Sequence, residues 1–239
     1  MCNHGVTGSD AEHSRPAKTG GELQAVLFDM DGTIVDTEPY WIAAEYALVA
    51  EFGGQWSDAH AHHLVGSALT AAAAYIREYG GVPLRDEQII DRLERSVIAS
   101  MQQAIPWRPG ARELLTTLRD EAVPCALVTM SYTALAMTVV DALHAEAFMA
   151  VVTGDEVTDG KPHPEPYLLG AARLGVDPGH CVAIEDSPTG VASAEAAGCV
   201  VLAVPHHLEI PAAPTRTLAG SLTDVTPASL RELVRRAGG

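Results

Sequence analysis

Five short apolar runs punctuate the chain, at residues 25–28, 125–128, 150–152, 181–184 and 200–204. Each is too short for a buried helix and is bounded by acids or turn residues, the pattern of strands buried on both faces of a parallel sheet. Between the later runs, stretches at 111–121, 133–144, 164–174 and 191–197 carry apolar residues at helical spacing. Strands alternating with helices predict an α/β fold: three layers, with a parallel sheet covered by helices on both sides.

One region breaks this rhythm. Residues 39–106 contain no strand-like run, only helical patterns. The clearest places Ile89, Ile90, Leu93, Val97, Ile98 and Met101 on one helix face, opened by Asp86 and Glu87. A helical domain of roughly 70 residues is therefore expected, inserted after the first strand. Its joints fall at 36–39 and 105–110, which leaves 23–38 and 107–239 to form the core. Residues 1–22 are polar and Gly-rich, lack the apolar run of a signal peptide, and are expected to form a flexible tail.

Charge narrows the range of partners. With 15 Lys+Arg against 31 Asp+Glu, the formal net charge is −16. A nucleic-acid backbone or an anionic membrane surface demands a basic face, so neither is expected as a partner. Nor does any stretch approach the roughly 20 apolar residues that cross a bilayer. Cys2, Cys125, Cys181 and Cys199 form no CxxC pair. A disulfide framework or structural zinc is not expected, and a cytoplasmic location fits.

Open α/β sheets bind ligands at the carboxyl ends of their strands, and four polar motifs follow predicted strands here. Asp29-Met30-Asp31-Gly32-Thr33 offers two carboxylates suited to one metal ion, a nucleophile and a proton donor. Thr129-Met130-Ser131 offers a hydroxyl and turn amides suited to a phosphate oxygen. Lys161 sits between Gly160 and Pro162 in a Pro-stiffened loop, and is one of only two lysines in the chain, the other being Lys18. Glu185-Asp186-Ser187 adds a second acidic pair. His60, His62 and His63 lack the partner spacing of a metal site, and His206-His207 reads as a solvated loop.

Taken together, the motifs resemble the haloacid dehalogenase-like hydrolase superfamily over residues 25 to 204, above all in the string Phe28 to Glu38, FDMDGTIVDTE. The resemblance implies a Rossmann-like core with an inserted small α-helical cap. It implies that Asp29 is a nucleophile forming an aspartyl-phosphate, and that Asp31 is the acid and base for the leaving group and water. It further implies Mg2+ held by Asp29, Asp31 and Asp186 with Glu185 beside it. Thr129, the Met130 amide and Lys161 would hold the phosphoryl oxygens. Specificity would rest on cap residues such as Trp41, Ser67, Leu69 and Thr70.

The expected activity is Mg2+-dependent hydrolysis of a small phosphorylated metabolite, a sugar phosphate above others. Two alternatives accompany it. A sugar phosphomutase resembling β-phosphoglucomutase would carry a histidine shortly after the first motif and a cap arginine; Trp41 and Leu69 stand at those places. A non-enzymatic binding module would not require the full set of Asp29, Asp31, Lys161 and Asp186.

Overall fold

The computed structural model describes residues 21–144 and 146–238. The expected tail therefore lies, up to residue 20, outside the described residues, as do Cys2 and Lys18. Among the described residues no helix is long and apolar enough to cross a membrane.

Among the described residues the sheet has six parallel strands. In chain order they are β1 (Ala25–Phe28), β2 (Cys125–Val128), β3 (Ala150–Val152), β4 (Cys181–Glu185), β5 (Val200–Ala203) and β6 (Arg216–Leu218), and their spatial order is β3-β2-β1-β4-β5-β6. The chain thus leaves the central strand in both directions. β1 pairs with β2 on one side, Phe28 opposite Leu127, and with β4 on the other, Phe28 opposite Ile184.

Alternation along β1 divides the core. Val26 and Phe28 face one apolar cluster, packed with Leu115 and Leu118 of α5 (Ala111–Asp120), Leu135 of α6 (Thr133–Asp141) and Leu230 of the last helix (Pro227–Ala237). Ala25 and Leu27 face the other, with Tyr167 and Ala171 of α7 (Glu165–Leu174) and Val191 and Ala194 of α8 (Pro188–Ala196). All four residues of β1 are fully buried. Val26, Leu27 and Phe28 each stabilise the fold by about 1.5–3 kcal/mol when removed from water.

Two elements have no counterpart in the sequence reading. β6 is a three-residue edge strand whose Thr217 and Leu218 are exposed, so it presents no apolar run. The last helix, α9, opens with a capping box: the Thr226 side chain accepts from the Ser229 amide, and the Ser229 hydroxyl accepts from the Thr226 amide. It buries Leu230 and Val234, which lie i,i+4 on one face. β4 also runs one residue further than expected and takes in Glu185.

Between β1 and α5 the chain forms four helices: α1 (Glu38–Glu51), α2 (Asp58–Leu64), α3 (Leu69–Tyr79) and α4 (Asp86–Gln103). Ile89, Ile90, Leu93, Val97 and Met101 of α4 are buried, as the periodicity predicts. Of His60, His62 and His63, the first and last take an aromatic role, while His62 is exposed. His60 stacks on Trp56 with ring centroids 4.8 Å apart, and its Nδ1 lies 2.9 Å from the Tyr75 hydroxyl. His63 lies over Tyr75 at 4.6 Å.

α4 packs against α6, and Glu94 sits at that junction, 9% exposed, accepting a hydrogen bond from the Tyr132 backbone. Among the described residues its Oε1 is buried without a partner. Burial pushes the carboxyl up to about 7, outweighing that hydrogen bond; Asp155 and Asp91 add smaller repulsion. Between about pH 4.5 and 7 the native state keeps a proton that the unfolded chain releases, so stability falls as pH rises. The full penalty, on the order of 3 kcal/mol, is present above pH 7. Glu94→Gln should therefore raise the urea midpoint at pH 8 and leave it nearly unchanged at pH 5. An equal change at both values would show that Glu94 ionises normally.

Candidate active site

Three strand ends converge. The Asp29 amide donates to the Ile184 carbonyl at 3.0 Å and the Thr129 amide to the Val152 carbonyl at 2.9 Å, so the sheet ladder itself sets the level of both side chains. Asp29, Asp31, Thr129, Met130, Lys161 and Asp186 line one cavity of about 410 Å³ at the carboxyl ends of β1, β2 and β4. Trp41, Ser67, Leu69 and Thr70 face the same cavity from the helical insertion. Glu185 lies beneath it, with no exposed surface.

Lys161 organises the floor. Its Nζ donates to Asp29 Oδ1 at 2.7 Å, to Glu185 Oε1 at 2.6 Å and to the Val128 carbonyl at 2.9 Å. Its side chain is only 5% exposed. Burial alone would lower the ammonium pKa, but the charges of Asp29 and Glu185 outweigh it and hold Lys161 above its ordinary value. Tyr167 completes the arrangement: its hydroxyl donates to Glu185 Oε1 at 2.7 Å, and its ring centroid lies 5.0 Å from Lys161 Nζ. Ser187 donates to Glu185 Oε2 at 3.3 Å. Glu185 thus spends its oxygens on Lys161, Tyr167 and Ser187.

Asp31 is held by three hydroxyls. Thr37 donates to Oδ1, while Ser131 donates to Oδ2 at 2.7 Å and Thr129 to the same oxygen at 3.4 Å. Thr37 stands at the N-cap of α1 yet caps no backbone amide; its hydroxyl turns to Asp31 instead. Burial raises the Asp31 carboxyl, and these hydrogen bonds partly offset it.

Among the described residues, Asp29 Oδ2 is buried without a partner. Ligand oxygens of Asp29, Glu185 and Asp186 all lie within 4.8 Å of one another. Burial pushes Asp29 up to about 7 against the opposing pull of Lys161, and burial with the Asp29 charge pushes Asp186 up to about 9. A buried acid cluster of this kind, with one oxygen left unpaired, fits a hard divalent cation with oxygen ligands. Gly32 makes room for it. Its φ of +88° lies in the left-handed region, and a Cβ there would fall 2.0 Å from Asp186 Oδ2.

Several residues facing the cavity were not singled out from sequence. Glu38 and Glu45 join Trp41 on one face of α1, at i, i+3 and i+7 spacing. Burial raises both carboxyls, Glu45 to about 7, where the Trp56 indole donates to Oε2 at 3.2 Å. The His206-His207 loop is partly solvated, His207 exposed and His206 half-buried, but it is not free. Both imidazoles pair with Asp36 at the first joint, at 3.0 and 2.9 Å, because the loop after β5 folds back against it.

Residues 23–198 match the haloacid dehalogenase-like hydrolase family. Hexitol phosphatase A of Escherichia coli (strain K12) is 34% identical over 201 residues, covering 77% of this chain and 84% of that protein. The bifunctional riboflavin kinase/FMN phosphatase of Arabidopsis thaliana is 34% identical over 182 residues. That match takes in 75% of this chain but only 48% of the relative, so the chain spans about half its length. Among solved structures, CbbY from Rhodobacter sphaeroides in complex with xylulose-(1,5)bisphosphate aligns with a TM-score of 0.77 and 26% identity, covering 87% of this chain and 99% of that one.

Proposed function

The chain belongs to the haloacid dehalogenase-like hydrolases, and from that premise we propose that it is a Mg2+-dependent phosphatase of small sugar phosphates acting through an aspartyl-phosphate on Asp29. The observation that carries this reading is the Asp29 carboxylate, with Oδ1 fixed by Lys161 and Oδ2 buried and unpaired at the end of the central strand.

Asp29 attacks phosphorus through its carboxylate, and the bond from phosphorus to the ester oxygen breaks. Asp31, steadied by Thr37, Ser131 and Thr129, gives its proton to the departing alkoxide. Water then attacks the aspartyl-phosphate, returns a proton to Asp31 and releases phosphate with Asp29 restored. Thr129 and the Met130 amide hold the phosphoryl oxygens, and Lys161, its three Nζ donors spent on Asp29, Glu185 and the Val128 carbonyl, sets its positive charge beside them. Asp29, Asp186 and the Asp31 backbone would hold Mg2+, which when bound neutralises charge on the phosphoryl group. Glu185 serves this reading best as the buried partner that positions Lys161.

Trp41 and Leu69 face the cavity where a phosphomutase would place a histidine and an arginine. That supports transfer to water over transfer to a second hydroxyl. Incubation with Mg2+ and a sugar phosphate panel should release inorganic phosphate, and chelation by EDTA should stop it. Isomerised sugar phosphate without release would establish the mutase instead. No turnover by folded protein would leave a binding module.

A further inference from the structure

The lining of the cavity above the phosphoryl site differs in charge from its floor. The floor has Lys161, already engaged by three oxygens. Of the insertion's four helices, among the described residues, not one Lys, Arg or His lines the cavity. His207 reaches the rim, but its Nε2 is taken by Asp36 at 2.9 Å. What the insertion does present is two carboxylates, Glu38 and Glu45, the hydroxyls of Ser67 and Thr70, and the indole of Trp41.

We propose that the ester cleaved here has a neutral, hydroxyl-rich leaving group, and that Glu38 and Glu45 determine this by accepting hydrogen bonds from its hydroxyls. The inference rests on the phosphatase reading and adds the chemistry of the leaving group. A second phosphate or a carboxylate on the leaving group would meet two acidic groups and, among the described residues lining the cavity, no cation that is not already paired, in a partly enclosed space where charge is weakly screened. Sugar hydroxyls meet acceptors in Glu38 and Glu45, hydroxyls able to act either way in Ser67 and Thr70, and a flat apolar surface in Trp41 for their C–H face. Glu45 gives one oxygen to the Trp56 indole, and that bond steadies its carboxyl.

Both groups come from one helix face. That places the two acceptors on a common rigid element and makes them a ruler for the hydroxyl pattern. Sites built around hydrogen-bonded polar groups reject the wrong polar partner more strongly than apolar pockets reject a wrong size.

The test compares kcat/KM, with Mg2+ present, for sorbitol 6-phosphate, 2-phosphoglycolate, fructose 1,6-bisphosphate, glucosamine 6-phosphate and p-nitrophenyl phosphate. The neutral polyol ester should exceed each ester bearing an additional anion by roughly tenfold or more. Glu45→Lys should shrink or invert that ratio, chiefly through KM. Glu38→Lys, on a half-buried position at the helix start, gives the same reading if Glu45→Lys does not fold. Equal or better turnover of phosphoglycolate or the bisphosphate would overturn the proposal, as would a ratio unmoved in both folded variants. Preference for the ammonium-bearing glucosamine ester would overturn the claim that the leaving group is neutral. In all these cases phosphate is still released. Failure with every ester, p-nitrophenyl phosphate included, would overturn the phosphatase reading itself.

Discussion

Asp29→Asn is expected to lower kcat for any phosphate ester by about 10⁴-fold or more, with the fold intact. The amide keeps the size of the carboxyl but cannot form the aspartyl-phosphate, and its nitrogen places a donor where an oxygen now stands. That corresponds to about 5.5 kcal/mol of lost transition-state stabilisation. Stability should hardly move. Asp29 is an acid that burial has pushed up to about 7, so a neutral side chain there relieves a cost, and Lys161 keeps Glu185 and the Val128 carbonyl as acceptors. Steady-state phosphate release and a urea transition on the same preparation check both halves. A variant within tenfold of the wild type would show that a different nucleophile does the work.

Lys161→Met carries the second large effect, and this one falls on stability as well as rate. The methionine matches the length of the lysine stem but donates nothing. Asp29 Oδ1, Glu185 Oε1 and the Val128 carbonyl all lose a donor, and Glu185 is left wholly buried with only the Tyr167 and Ser187 hydroxyls. Removing one partner of a buried ion pair costs about 3–5 kcal/mol. The diagnostic is the double variant Lys161→Met/Glu185→Gln. If Glu185 is the uncompensated charge, the second change should recover most of the lost stability and none of the activity, since the phosphoryl cation is still missing. Stability that does not recover would place the cost elsewhere, in the packing of the stem.

Much of this was legible in the sequence for a physical reason. The strands β1, β2, β3 and β5 and the first four residues of β4 are wholly or almost wholly buried, so each is a short uninterrupted apolar run. The polar residues that interrupt those runs fall at the strand ends, and Asp29, Thr129 and Asp186 stand there. β6 escaped notice because an exposed edge strand needs no apolar residues. Tyr167 escaped because nothing in a helix marks which turn lies under a lysine. Glu38 and Glu45 were visible only as acids on α1; their importance depends on which face of that helix the fold turns toward the strand ends. Local pattern gives elements and their ends, whereas facing requires the packed molecule.

The joints of the insertion bear on how the sheet assembles. β1 is the central strand, yet β2, its neighbour on one side, begins about a hundred residues later in the chain. Strand pairs so distant in sequence carry a large loop-closure entropy and slow folding. At the base of the insertion, however, the two joints touch: the Asp36 amide donates to the Pro106 carbonyl at 2.8 Å and the Arg108 amide to the Ile34 carbonyl at 2.8 Å. Those two hydrogen bonds close the insertion at its base, so in the folded chain the path from β1 to β2 shortens to the few residues around Ile34 and Arg108 together with α5. The insertion that supplies the cavity wall thus leaves the two neighbouring strands joined as if by a short connection.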